Sequence, residues 1–434
     1  MERQKNAPLL VKRPKEREGQ VQGLAGEVWE ESTKLWEVVG PAVFMRLVLY
    51  SLNIISQSFA GHLGDGELAA FSIASTVVSG FNLGFLLGMA SALETLCGQA
   101  YGAKQYAMLG VYMQRSWLVL LAFAALLSPT HIFSGQLLRA LGQPADLARE
   151  AGAVSACLLP LHFIYFGLGV VGAAVALNFS WALVVALQLA YAVGGGCPET
   201  WGGFSSLAFV DIWGFVKLSS ASGVMLCLES WYYRVLIFVT GYMKNAEFAV
   251  DALSICLSLN GLEMMIPLGF LAGTGVRVAN ELGAGNGRRA RFATMVSTTT
   301  SFLISIFFCM LALGLHGRLA LIFSSSKAVI DAVDDMSVLL ALTILLNGVQ
   351  PVLSGVAVGS GWQALVAYVN IGSYYLIGVP LGALLGWTFH LGVHGIWAGM
   401  IGGTTVQTLI LAYMTIRCDW DQEALKASNR MGLM

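Results

Sequence analysis

Charge is what this sequence lacks most. Asp, Glu, Lys and Arg together make up 11% of 434 residues, against 56% hydrophobic residues, where a soluble domain carries about 25% charge. Side chains this rarely charged cannot clothe a water-facing surface, so the soluble classes are excluded. The little charge present is balanced, with 24 Lys and Arg against 25 Asp and Glu. No positive excess exists to hold a polyanion, and a nucleic-acid partner has no electrostatic basis. Cysteine is equally thin. Seven residues, at positions 97, 157, 197, 227, 256, 309 and 418, show no paired spacing. They imply neither a disulfide framework nor a metal site and read as small packing residues. The six His are scattered. His390 and His394 are four apart, but Gly392 stands between them at the edge of a span, so no metal or other cofactor is expected. No nucleophile–base pair is visible, and an enzyme reading has no support. Residues 1–36 are polar and charged, so no cleavable signal peptide is expected.

What is present is apolar sequence in long uncharged runs, with a mean hydropathy of +0.71. Runs at 37–59, 68–93, 111–131, 151–193, 214–240, 248–272, 292–315, 336–358, 362–387 and 393–416 are each long enough to cross a bilayer. Full backbone hydrogen bonding in lipid makes them helices. The run at 151–193 holds no Asp, Glu, Lys or Arg and has room for two spans with a tight turn near Phe166–Gly169. The expectation is an all-α, polytopic membrane protein of about eleven spans. Its parts are a disordered cytoplasmic tail at 1–36, an N-terminal lobe at 37–193, a linker at 194–213, a six-span C-terminal lobe at 214–417 and a cytoplasmic tail at 418–434.

The two lobes resemble each other. Gln99-Ala-Tyr-Gly-Ala-Lys-Gln105 matches Asn280-Glu-Leu-Gly-Ala-Gly-Asn286, an offset of 181, and Ala70-Phe-Ser-Ile73 matches Ala252-Leu-Ser-Ile255. Further on, Gly169-Val-Val-Gly172 matches Gly392-Val-His-Gly395 at an offset of 223. Ordered matches of this kind indicate an internal repeat. The jump in offset means that the first lobe lacks about 42 residues, one span with its connector, near 160–169. The tail's Lys and Arg argue for a cytoplasmic N-terminus. In a twelve-span plan the loop with Arg277, Arg288, Arg289 and Arg291 is then cytoplasmic too; loss of one span would move it to the far side.

Few charges lie inside spans, and each costs about 2.5–3.5 kcal/mol on insertion scales. Glu229 lies mid-span in Leu226-Cys-Leu-Glu-Ser-Trp-Tyr-Tyr-Arg234, and Glu263 in Asn260-Gly-Leu-Glu-Met-Met-Ile-Pro267. A carboxyl group buried away from water can exchange a proton near neutral pH or pair with a cationic substrate. The bland alternative is a structural pair, but Arg234 is five residues on, about 140° around a helix from Glu229. Arg46 and Arg115 read as snorkelling or structurally paired cations. Glu94 reads as an interface or loop-organising residue. Gln57, Asn260, Asn347, Gln350, Asn370 and Tyr374 place polar groups inside spans; they can line a cavity or bond helix to helix. Gly80, Gly84 and Gly88 permit close helix contact. Pro267, Pro351 and Pro380 should bend their spans.

Taken together, Glu94-Thr-Leu-Cys-Gly-Gln-Ala-Tyr-Gly-Ala103, Leu228-Glu-Ser-Trp-Tyr-Tyr233, Arg277-Val-Ala-Asn-Glu-Leu-Gly-Ala-Gly-Asn286 and Pro351-Val-Leu-Ser-Gly-Val-Ala-Val-Gly-Ser-Gly-Trp-Gln363 resemble the multidrug and toxic compound extrusion (MATE) family, its plant branch in particular. The resemblance implies two pseudo-symmetric six-helix lobes around a cavity. It implies proton antiport of organic cations, alkaloids, flavonoids or similar compounds, in a vacuolar or plasma membrane, by a monomer. No nucleotide-binding motif is present, which fits an ion gradient as the energy source. By the same resemblance, Glu229 and Glu263 are the proton and substrate coupling groups. Asn347 stands where some plant members carry an Asp. The stretch Asn53–Gln57 lacks the Asp of several prokaryotic relatives. A chain lacking one span can instead be a non-transporting truncated form. A lipid or polyprenyl flippase is disfavoured by the few in-span cations.

Overall fold

The computed structural model describes residues 23–63, 73–74, 78, 80–140, 145–157, 183, 186–240, 247–323 and 327–432. The proposed deletion near 160–169, with its Phe166–Gly169 turn, lies outside them, as do the repeat matches at 70–72 and 169–172. The chain is helical because its apolar runs leave the backbone no partner but itself. In order, the main elements are α1 (Leu24–Leu63), α2 (Gly80–Gly102), α3 (Tyr106–Ile132), α4 (Ser134–Ala140), α5 (Ala145–Cys157), α6 (Ile212–Thr240), α7 (Glu247–Gly283), α8 (Gly287–Phe323), α9 (Lys327–Asn347) and α10 (Gln350–Ser360). They continue in α11 (Gln363–Thr388), which passes through π-helical stretches at Ile371–Gly378 and Leu384–Thr388. Last come α12 (Gly392–Arg417) and α13 (Trp420–Gly432). Among the described residues, nine helical stretches are long and apolar enough to cross a membrane. They match nine of the eleven expected spans; the other two belong to the run at 151–193, most of which is not described.

The halves meet in a reciprocal pattern. The first helix of each half packs on the second helix of the other: α1 on α7, and α6 on α2. The second helices, α2 and α7, also pack on each other. The contact is self-complementary across the repeat. A Cβ on Gly102 would strike the backbone carbonyl of Asn280, and one on Gly283 would strike that of Gln99. Both pairs are related by the offset of 181. Gly88 approaches Gly223 of α6 so closely that a Cβ would sit 2.7 Å from its Cα, and Gly269 packs in the corresponding way on Val43 of α1. Lipid offers apolar side chains as good a home as a helix interface does, so close packing of small residues must hold the halves together.

Hydrogen bonds reinforce this seam. Thr95 Oγ1 donates to Val358 O at 2.6 Å, and Gln363 Nε2 donates to Thr95 Oγ1 at 2.8 Å. Gln99 Nε2 donates to Gly359 O at 3.2 Å. Asn280, its amide turned to satisfy both ends, donates to Gly98 O at 2.9 Å. The turn between α2 and α3 therefore abuts the turn between α7 and α8, and Lys104 stands at the same end of the bundle as Arg288 and Arg289. We call this the loop end.

Both expected tails are partly helix. α1 begins at Leu24, well inside the stretch expected to be disordered, because Leu35 and Val39 are core residues and Glu31 has a buried partner. Arg277 of α7 donates Nε and Nη2 to the two Glu31 carboxylate oxygens at 2.8 and 3.0 Å, and Nη2 to Glu281 at 2.7 Å. At the other terminus, Trp420, Ala424, Ala427 and Met431 fall on one helical face. That face seats α13 on Val278, Leu282 and Ala290, and Met431 reaches Tyr112 of the first half. Residues 1–22 are not described.

Candidate functional site

The span formed by α9 and α10 is broken at Gly348–Val349. Gly348 sits against Ser305 and Phe302 of α8, with no room for a side chain, and Pro351 follows at the start of α10. Proline lacks the amide hydrogen that would continue the helix. The break leaves Asn347 as the last residue of one helix and Gln350 as the first of the next. Each holds one of the buried acids.

Gln350 Nε2 donates to Glu229 Oε1 of α6 at 2.9 Å, and its second hydrogen goes to Ser354 Oγ at 3.2 Å. Asn347 Nδ2 donates to Glu263 Oε2 of α7 at 2.9 Å and to Asn260 Oδ1 at 2.9 Å. Both carboxyl groups are buried. In the first pair two oxygen atoms remain without a hydrogen-bond partner among the described residues, Glu229 Oε2 and Gln350 Oε1. A proton on Oε2 would convert it to a donor, and Gln350 Oε1 is the acceptor in that pair that has none.

The polar residues divide by role. Asn260 and Asn347, with Thr343 and Trp397, line a cavity of about 10 Å³ inside the C-terminal lobe, room for about one water molecule. Asn370 takes the other role open to it, helix-to-helix bonding: it donates to Met225 O at 3.0 Å and accepts from Gln407 at 3.1 Å. Tyr374 is enclosed in the core, stacked on Tyr232 with ring centroids 4.2 Å apart. Tyr232 in turn donates to Met400 O at 2.8 Å. Gln57 lies on α1, with its side chain outside the described residues, as is that of Arg234. Arg115 is a structural cation, donating to Leu207 O, and Arg46 lies within electrostatic reach of Glu94.

The repeat makes the asymmetry visible. The position related to Glu263 by the offset of 181 is Asn82, which donates to Thr130 Oγ1 at 2.7 Å. The position related to Glu229 is Val48. Among the described residues, the buried acids held by amides thus lie in the second lobe. Sequence reasoning did not find the cluster of Glu31, Arg277 and Glu281. The spacing of four between Arg277 and Glu281 was a readable signal; the partner in the N-terminal stretch was not.

Known proteins share this architecture. The MatE family model matches residues 41–190 and again 221–384, once in each half. The chain belongs to the MATE family. Protein DETOXIFICATION 27 of Arabidopsis thaliana is 56% identical over 97% of this chain and 95% of its own length. Protein DETOXIFICATION 26 of the same plant is 52% identical over 94% of this chain and 92% of its own. The crystal structure of the eukaryotic MATE transporter AtDTX14 superposes with a TM-score of 0.87 at 33% identity, covering 93% of this chain and 99% of that one. The protein is thus a multi-pass membrane transporter of the multidrug and toxin efflux kind, with the two-lobe MATE fold, and its relatives are transporters, not enzymes. The alignment with DETOXIFICATION 27 runs over 463 positions and takes up 97% of the 434 residues here, about 421, so about 42 positions of that relative face no residue in this chain.

Proposed function

We propose that this MATE protein is a proton antiporter that exports or sequesters small organic compounds, such as organic cations, alkaloids or flavonoids, across a vacuolar or plasma membrane. It works as a monomer. Glu229 and Glu263 exchange protons and substrate as the lobes rock. The observation that carries the reading is the broken span. One interruption positions two amides, Asn347 and Gln350, each on a carboxyl group from a different helix. Interrupted spans of this kind build ion and substrate sites in secondary transporters. The orphan oxygens of the Glu229–Gln350 pair support a proton site at that acid. The basic residues Lys104, Arg288, Arg289 and Arg291 at the loop end support a cytoplasmic loop end, and the tight glycine seam there supports a state closed to the cytoplasm.

The test is uptake of ethidium into proteoliposomes driven by an imposed pH gradient. Wild type accumulates the probe and collapses the gradient. Glu229→Gln, isosteric and unable to titrate, should abolish both, and Glu263→Gln should weaken them. Wild-type rates in Glu229→Gln would overturn the reading.

A second reading rests on the alignment shortfall: the chain is a truncated form that does not transport. A thiol at Asn286, probed in sealed vesicles, separates the two. Labelling from the cytoplasmic face keeps the transporter polarity. Labelling from the far face means an inverted second lobe and favours the truncated form.

A further inference from the structure

The residues joining the two halves do not loop out beyond the helix ends. They run along α3. Gly110 of α3 meets Thr200, and a Cβ there would strike the Thr200 carbonyl oxygen. One turn deeper, Gln114 Nε2 donates to Gly203 O at 2.7 Å while its Oε1 accepts from Ser205 N at 2.8 Å. Beside it, Arg115 Nη2 donates to Leu207 O at 3.1 Å, with its guanidinium 5.5 Å from the Tyr112 ring centroid. These two side chains stand about 12–14 Å along the axis from the start of α3 at 1.5 Å per residue. The whole of α3 measures about 40 Å, the thickness of a bilayer with its headgroups. The linker therefore descends to the depth at which hydrocarbon begins.

Irregular backbone at that depth has no water to bond and must be satisfied by protein. Here the carbonyls of Gly203 and Leu207 and the amide of Ser205 are met by Gln114 and Arg115, and local turns take up several of the other groups. Ser205 Oγ accepts from Leu207 N at 3.2 Å. Ala208 N donates to Ser205 O, and Thr200 N and Trp201 N to Cys197 O. Between the exposed charges Glu199 and Asp211 at its two ends, the middle of the linker has its side chains arranged the opposite way from a loop in water. Gln114 and Arg115 are 6% and 1% exposed, whereas Phe204, Phe209 and Trp213 are 83%, 67% and 75% exposed. Trp201 joins this face to α3, its ring 5.9 Å from Trp117 and 5.5 Å from Phe204.

We propose that the inter-lobe linker, residues 197–211, is a membrane-embedded strap: it lies in the bilayer against α3, with Phe204, Phe209 and the adjoining Trp213 among the lipid chains and Gln114 and Arg115 satisfying its backbone from the protein side. Continuity selects lipid as the occupant of the exposed face. α3 on one side and α6 on the other are both long and apolar enough to span, and the lipid that covers them covers the aromatic face between them. Aromatic side chains concentrate at this level of a bilayer. Tied to α3, the strap moves with the first lobe.

The test uses the full chain, stripped of its native cysteines and reconstituted in phosphatidylcholine vesicles, with single thiols at Phe204→Cys, Phe209→Cys and Asn286→Cys. Asn286 is exposed at the same end of the bundle and serves as the water-facing reference. A charged, membrane-impermeant thiol reagent should modify positions 204 and 209 at least about tenfold more slowly than position 286, because the reactive thiolate needs water. A nitroxide at 204 or 209 should be relaxed more by oxygen, which partitions into lipid, than by a water-soluble nickel chelate. Adding Arg115→Ala should raise the labelling rate at 204, since the strap loses a tether. Rates at 204 and 209 within twofold of that at 286 would place the linker in water and overturn the proposal. Slow labelling with oxygen also excluded would mean that a second protein surface covers the face, and would overturn it too.

Discussion

Adding one methyl group at Gly283 should unseat the closed loop end. The Cβ of Gly283→Ala would lie 2.6 Å from both the carbonyl carbon and the Cα of Gln99, and nearer still to its oxygen. Ordinary carbon–carbon contact is about 3.5–4.0 Å, so α2 and α7 must separate by about 1 Å. Every atom met is backbone, and no rotamer change gives relief. Overpacking of this kind costs about 1–3 kcal/mol, and only while the seam is closed. At 1.4 kcal/mol per factor of ten, about 2 kcal/mol shifts the population about 30-fold towards states with the loop end parted. Spin labels at Lys104 and Ala284, which are exposed in the two abutting turns, report the separation by pulsed EPR in nanodiscs. Wild type should give a short distance, and Gly283→Ala should move weight to longer ones. Gly102→Ala should behave alike, because its Cβ meets the repeat-related backbone of Asn280. Gly314→Ala on α8, with nothing within 4 Å of the added carbon, should leave the distances alone. An unchanged distribution together with an unchanged melting temperature in Gly283→Ala would refute the argument.

Glu31→Gln should destabilise the protein by about 1–3 kcal/mol, since it removes a bidentate, charge-assisted partner from the buried Arg277. Scanning fluorimetry reads this, and an unshifted melting temperature would mean that the first turns of α1 are not seated. Tyr232→Phe should cost about 0.5–1.5 kcal/mol through loss of the bond to Met400 O, with the Tyr374 stack intact. A loss several times larger would show that the hydroxyl holds more than that carbonyl. Trp420→Ala should cost about 3–5 kcal/mol and release α13, whose docked face it anchors. Limited proteolysis should then cut near the C-terminus first, and resistance equal to wild type would contradict that docking.

How much of this was legible depends on which force decided each feature. Membrane crossing follows from composition, because lipid forces any long uncharged run into a helix whatever its neighbours. Nine described spans accordingly fall where the apolar runs lie. The repeat was legible as well, since Gln99 and Asn280, or Gly102 and Gly283, keep their spacing in both halves. Glu229 and Glu263 stood out because a charge in an apolar run is costly and therefore conspicuous. The helix within the N-terminal stretch, expected to be disordered, and the docking of the C-terminal tail were not legible for the converse reason. Leu24–Trp36 and 420–432 are polar on average, and only the partners across the fold, Arg277 for Glu31 and the α7–α8 surface for Trp420, show which face is buried.

The remaining features belong to the tertiary structure, because they are relations between segments distant in sequence. Nothing local tells that Asn347 and Gln350, on either side of a broken span, reach two different helices. Nor does anything local tell that Asn370 and Tyr374 bond and stack between helices, or that Gln114 turns to satisfy the backbone of a linker some ninety residues on. The sequence alone determined that this chain lives in a membrane, as helices, in two related halves, with two acids where acids are expensive. Which amide meets which acid, and which glycines let the halves touch, were decided by packing: hydrogen bonds and close contacts depend on distance, and the fold alone sets distance between remote residues.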